Sequence, residues 1–192
     1  MNFIKNYHLD PFLVVARMRY PFYIDKITEC IEETASGTHL NTEVLSVAKE
    51  DLKLVSKRNG WHFPWKSFLK IPQRSLYRLI IKGDLSQTVQ GLISIEIMKA
   101  EQYIELHHIE NAPHNYGKNK KYAGVAGNLV AFACKLSFEL NFEGFVAFKA
   151  KTVLIEHYSL TLNAVLINPK QNRMAIFPEA AKKIVNSYYK AS

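Results

Sequence analysis

A chain of 192 residues, 48% of them hydrophobic, is long enough to enclose a substantial core and has the composition of a globular protein. Its net charge of +8 describes a surface that attracts anions, whether nucleic acid, an acidic membrane face or a phosphorylated small molecule. Two cysteines, Cys30 and Cys134, are too few for a disulfide framework and lack zinc-site spacing, and the early FLVVA run, followed by Arg17 and Arg19, falls far short of the roughly 20 residues that span a bilayer. The expectation is one domain over residues 1–192, in a reducing cytoplasm, without a membrane segment.

In chain order, residues 1–40 read as an N-terminal helical extension: YIDKITECIEET puts Ile24, Ile27 and Ile31 at helical spacing, and Gly37 is placed to end the helix. TEVLSVA predicts a strand, and KEDLKLVSKRNG a charged helical turn or two closed by Gly60. WHFPWKSF predicts an aromatic loop, because Pro64 opposes any long regular element; Trp61, Phe63 and Trp65 could wall a pocket, although aromatics at this density more often fill a core.

SLYRLIIKG and VQGLISIEIM predict an antiparallel hairpin turned by the Gly-Asp pair between them. QYIELHHIE predicts a third strand in which Tyr103, Glu105 and His107 alternate with Ile104, Leu106 and His108, stopping before Pro113. After the polar loop HNYGKNKKYAG, NLVAFACKLSFEL predicts a buried helix with Leu129, Phe132, Ala133, Leu136 and Leu140 on one stripe, widened by Val130, Cys134 and Phe138. FEGFVAFKAK then gives a strand, VLIEHYSLTLNA a short helix or turn, RMAIF a late strand and PEAAKKIVNSYY a final helix opened by Pro178.

The chemistry concentrates at the junction KKYAGVAGNL. A helix start leaves its first amides without carbonyl partners and adds positive potential, which suits an anionic oxygen. Gly124, Ala126 and Gly127 keep bulk away from those amides, and Lys118, Lys120 and Lys121 add positive charge. Neither a Walker A loop nor a dinucleotide fingerprint is present, since no Lys-Ser/Thr follows the last glycine and Gly124-Val-Ala-Gly127 has a different spacing.

KYAGVA, Lys121 to Ala126, resembles the Q/R-x-x-G-x-G/A pyrophosphate motif of the GNAT superfamily of acyl-CoA-dependent N-acyltransferases, with lysine in place of Gln or Arg. The resemblance covers residues 43–190, including the order of strands and helices. It implies an α/β (α+β) fold with a central mixed, mostly antiparallel sheet flanked by helices, which splays where the acyl-CoA enters. It implies acetyl-CoA as co-substrate, held by Lys121, Gly124, Val125, Ala126, Gly127 and Asn128. EHYSLTLNA places Tyr158 at the family's tyrosine, the acid for the leaving thiolate, although Leu162 stands where the family commonly has glycine. A base near the third strand is also implied, for which Glu105 is the first candidate and His107, beside it, the second. His108 and Glu110 fall on the opposite face by alternation, and no metal site is expected from these histidines.

The function expected is direct N-acetyl transfer from acetyl-CoA to an amine of unassigned identity. A non-catalytic acyl-CoA sensor or scaffold and a basic nucleic-acid-binding module are the alternatives; against the second, the lysines are scattered and no recognised motif accompanies them. Oligomeric state is left open, with a homo-oligomer among the options.

Overall fold

The computed structural model describes residues 31–117 and 119–189. Ile24 and Ile27 lie outside these, as do Cys30 and Lys118, but the end of the predicted N-terminal helix is strand β1 (Ile31–Glu33). Pairing overrides the helical spacing. β1 runs antiparallel to β2 (Thr38–Leu40), with Gly37 at φ 68° in the turn between them, and also to β7 (Tyr122–Ala123), through Glu32↔Ala123 and Glu33↔Tyr122. Ile31 thereby reaches the core fully buried.

Among the described residues the other strands form one seven-stranded sheet. They are β3 (Thr42–Ser46), β4 (Ser75–Ile81), β5 (Gly91–Met98), β6 (Tyr103–Asn111), β8 (Val146–Lys149), β9 (Val165–Asn168) and β10 (Arg173–Ile176), arranged β3-β4-β5-β6-β8-β10-β9. Every neighbouring pair is antiparallel except β6 and β8. The expected β4–β5 hairpin is present; β9 was not anticipated, because its four residues, ending directly before Pro169, leave little room for an alternating pattern.

The helices are α1 (Trp65–Phe68), α2 (Val125–Glu139), α3 (Ile155–Leu162) and α4 (Pro178–Tyr188). α2 is buried along the predicted stripe and beyond it, packing Leu129, Phe132 and Leu136 on Ile93, Ile95 and Ile104 of the sheet, with the Phe132 and Tyr77 rings 4.8 Å apart. Cys134 sits fully buried in this layer, its thiol pushed up to about 12 by burial, which leaves it packing like a small apolar group rather than acting as a nucleophile.

The opposite face of β4 and β5 is covered by residues 49–71. Here Leu52, Val55, Trp61, Trp65 and Phe68 pack on Leu76 and Leu92 as a second cluster, so both tryptophans are core residues. Pro64 does not keep this stretch irregular: it stands directly ahead of α1, where a missing N–H costs nothing. No helix among the described residues is long and apolar enough to cross a membrane.

An irregularity in the pairing of β5 with β6 decides which side chains share a face. Ile95 pairs with Leu106 but Ser94 pairs with His108, so His107 is an extra residue in β6, a β-bulge. Strict alternation therefore fails beyond Leu106. Met98, Glu96, Ser94 and Leu92 lie opposite Tyr103, Glu105, His108 and Glu110, which places these last four on one face. The sequence expectation that His108 and Glu110 point away from Glu105 is corrected by that single inserted residue.

Candidate active site

β6 and β8 pair only at Ile104↔Val146, Glu105↔Ala147 and Leu106↔Phe148; among the described residues, positions 107–111 of β6 continue with no partner on that side. The sheet thus opens just where the bulge begins. α2 starts close to the far end of β6: a β-carbon on Gly91, which pairs with Asn111, would lie 2.7 Å from Val125 Cγ1 and 3.2 Å from the Glu110 carbonyl oxygen.

The loop from β6 into α2 is fixed from two sides. Inside, the buried amide of Asn115 donates to the Gln90 carbonyl (3.0 Å) and accepts from the Tyr122 N–H (3.1 Å), while Lys121 N–H donates to the His114 carbonyl (2.8 Å). Outside, β1 pairs with β7, Thr34 N–H donates to the Lys121 carbonyl (3.0 Å) and the Thr34 hydroxyl donates to the Lys120 carbonyl. Gln90, Asn115 and Thr34 carry no motif, and sequence reasoning did not find them.

Gly124 precedes α2 with φ 81°, a left-handed conformation that favours glycine, and it is exposed. The amides of Val125, Ala126 and Gly127 then open the helix without an intrahelical carbonyl to donate to. Asn128 N–H is already committed to the Gly124 carbonyl (2.9 Å), and its side-chain amide donates to the Thr42 hydroxyl (3.3 Å), so Asn128 is a buried strut. Gly127 has a packing reason of its own: a β-carbon there would lie 2.1 Å from the Tyr188 hydroxyl at the end of α4. Lys121 is exposed, its ammonium 5.1 Å from the centre of the Tyr122 ring and held above the ordinary lysine range, first by a hydrogen bond with that side chain.

Tyr158 lies half-buried on α3 with its ring edge-on to Phe148, centroids 5.3 Å apart. Phe148 is the β8 residue of the last β6–β8 pair, so Tyr158 borders the opening. Burial raises its phenol above the ordinary tyrosine range.

Glu105 is occupied. Both of its oxygens accept from the Arg173 guanidinium, one at 3.1 Å, and Arg173 also donates to the Tyr103 hydroxyl (3.2 Å). The Glu105 hydrogen bond is the first cause holding the guanidinium above its usual range. His107, at the bulge, has Nε2 2.9 Å from Glu96 Oε2, and both side chains are partly exposed.

Beside the opening, Glu110 organises the aromatic face. Its buried carboxyl oxygens accept from the His62 N–H (2.6 Å), the Phe63 N–H (3.2 Å) and Trp65 Nε1 (2.6 Å), and His62 Nδ1 lies 3.0 Å away. Tyr116, in the loop before α2, is pushed up to about 12 by burial and then by the Glu110 charge. His108 is held between Phe63 and Phe68, with ring centroids 4.8 Å and 4.4 Å away.

Neither a family model nor a curated protein matches the sequence. Solved structures match the fold. The spermidine/spermine N-acetyltransferase SpeG from Vibrio cholerae, determined with manganese ions, is 15% identical, with 74% of this chain and 95% of that one covered at a TM-score of 0.53. A structure assigned provisionally as an acetyltransferase gives 14%, 76%, 90% and 0.55 in the same order, and the KacTA–DNA complex 13%, 74%, 97% and 0.51. At such identities the likeness is one of architecture alone, and that architecture is the GNAT fold.

Proposed function

We propose that the protein is an N-acetyltransferase that moves the acetyl group of acetyl-CoA directly to an amine. The observation that carries this reading is the parting of β6 from β8 immediately after Leu106↔Phe148, with the bulge residue His107 on one strand and Tyr158 edge-on to Phe148 of the other. Acetyl-CoA supplies an activated acyl group; the chain has to bind it, orient it and move two protons.

Binding falls to the start of α2. The amides of Val125, Ala126 and Gly127 with the helix dipole receive the pyrophosphate, approached past the bare Gly124, and Lys121 adds charge from the rim. Lysine acts there as a point charge rather than as the two-pronged donor an arginine would be.

At the opening, His107 takes the proton that the amine loses as its nitrogen bonds to the acyl carbon, and Tyr158, kept protonated by its burial, gives a proton to the departing sulfur as the C–S bond breaks. Glu105, first in line from the sequence, is a less suitable base because Arg173 holds both of its oxygens; in this reading it joins β6 to β10.

Calorimetry with acetyl-CoA, followed by a transfer screen over small amines, peptide amines and aminoacyl-RNA, tests the proposal. Gly124→Val should abolish binding by blocking the approach, while Gly124→Asn, which tolerates the left-handed backbone, controls for folding. Absence of acetyl-CoA binding to the wild-type chain overturns the reading, and binding with no transfer to any acceptor replaces it with a sensor.

A further inference from the structure

His107 is set apart from the rest of β6 in two ways. It is the extra residue of the bulge, with no residue opposite it on β5, and it is the first position beyond the β6–β8 pairing. Its ring is nevertheless not loose, because Nε2 lies 2.9 Å from Oε2 of Glu96, eleven positions earlier on β5.

We propose that Glu96 is a positioning residue for acetyl transfer, holding the proton of His107 on Nε2 so that Nδ1 is the atom that receives the proton of the amine. The inference rests on His107 being the base. A neutral imidazole carries one donor nitrogen and one acceptor, and an ionised carboxylate has only acceptor oxygens, so the nitrogen that faces Glu96 must be the donor. The lone pair is then confined to Nδ1 before proton transfer and restored there after it. A carboxylate behind a catalytic histidine fixes the tautomer in the same way in the serine-protease triad.

The surroundings single out Glu96 for this task. The carboxylate across the strands from it, Glu105, is turned to Arg173 of β10, and the adjacent histidine, His108, is packed between the Phe63 and Phe68 rings. Glu110, further along β6, is saturated by the loop at 62–65. Among the described residues, Glu96 is the side chain within hydrogen-bond distance of the His107 ring.

The test uses the full chain, acetyl-CoA and the amine found in the transfer screen, with kcat and KM measured for Glu96→Ala, Glu96→Gln, His107→Gln and the Glu96→Ala/His107→Gln double variant, each checked for an unchanged thermal midpoint. Glu96→Ala should lower kcat on the order of 10- to 100-fold with KM for acetyl-CoA within about twofold, as expected when only a step of the reaction loses its support. Glu96→Gln, whose amide oxygen still accepts from Nε2, should retain more activity than Glu96→Ala. In the double variant the Glu96 change should add nothing to the loss from His107→Gln. A full loss in His107→Gln alongside normal kcat in Glu96→Ala, or multiplicative losses in the double variant, overturns the role of Glu96 alone. An unaffected His107→Gln removes the base assignment itself.

Discussion

Gly91 and Val125 meet where β5 passes under the first turn of α2: a β-carbon on the glycine would lie 2.7 Å from Val125 Cγ1 and 3.1 Å from Leu129 Cδ1. The absence of a side chain at one strand position thus sets how closely the helix start can approach the end of β6. Gly91→Ala should cost about 1–3 kcal/mol of stability through overpacking, since the neighbours are buried and the Glu110 carbonyl blocks the other direction. It should also weaken acetyl-CoA binding by lifting the first turn of α2. Urea denaturation and calorimetry on the same sample check both, and a variant as stable as the wild type would mean the helix start is not seated on Gly91.

Tyr158→Phe keeps the ring against Phe148 and removes only the proton. Acetyl-CoA affinity should change little, and the single-turnover rate should fall by about 10- to 100-fold, the lower part of the range for a positioned acid because a thiolate leaves readily and water partly substitutes. Because burial raises the phenol, the wild-type rate should show no loss from Tyr158 ionisation up to its ordinary range near 10. Transfer at the wild-type single-turnover rate would exclude Tyr158 from the chemistry.

His108 gives a pH signature in stability. Burial first, then the charges of Arg74 and His107, lowers its pKa below the ordinary 6.5, so between the folded value and 6.5 the unfolded chain binds more protons than the folded one. Stability from this group is therefore complete above pH 6.5 and is lost as pH falls through the folded value. Thermal midpoints measured from pH 8 down to pH 5 should fall more steeply in the wild type than in His108→Phe, which keeps an aromatic ring between Phe63 and Phe68. Some slope should persist, because burial also lowers His114. Equal slopes would show that His108 gains its proton without penalty in the folded state.

Much of the fold was legible because it is written in periodic apolar residues. The α2 stripe, the β4 and β5 runs and the Pro178 start of α4 each state their element locally. The bulge at His107 has no such local mark, since one surplus residue is defined only against its partner strand, and every facing assignment beyond Leu106 depended on it. The same limit hid the partners of the candidate site residues: Arg173 stands 68 positions from Glu105, and Glu96 is opposite Glu105 by register rather than by spacing. Ile31 was misread because its helical spacing with Ile24 and Ile27 is overridden by its hairpin partner Leu40 in β2 and by the pairing of the next two residues with β7. The small-residue junction at Gly124 was visible; that Gly127 accommodates Tyr188 and that Asn128 is tied to Thr42 was not.

The tie between Thr34 and Lys120, 86 positions apart, has a consequence for how the protein assembles. Closing so long a span adds little to the final thermodynamic cost, which grows only with the logarithm of length, but contacts this distant form late in a folding reaction. β3 to β6 and the cluster of residues 49–71 lie wholly inside that span and can organise before it closes. The stretch leading into α2 would acquire its outer support only afterwards, so a chain that has built its seven-stranded sheet but not yet docked its first hairpin would lack β7 and have an unsupported entrance to α2. If acetyl-CoA binds at that entrance as proposed, its affinity is a gauge of complete assembly rather than of sheet formation.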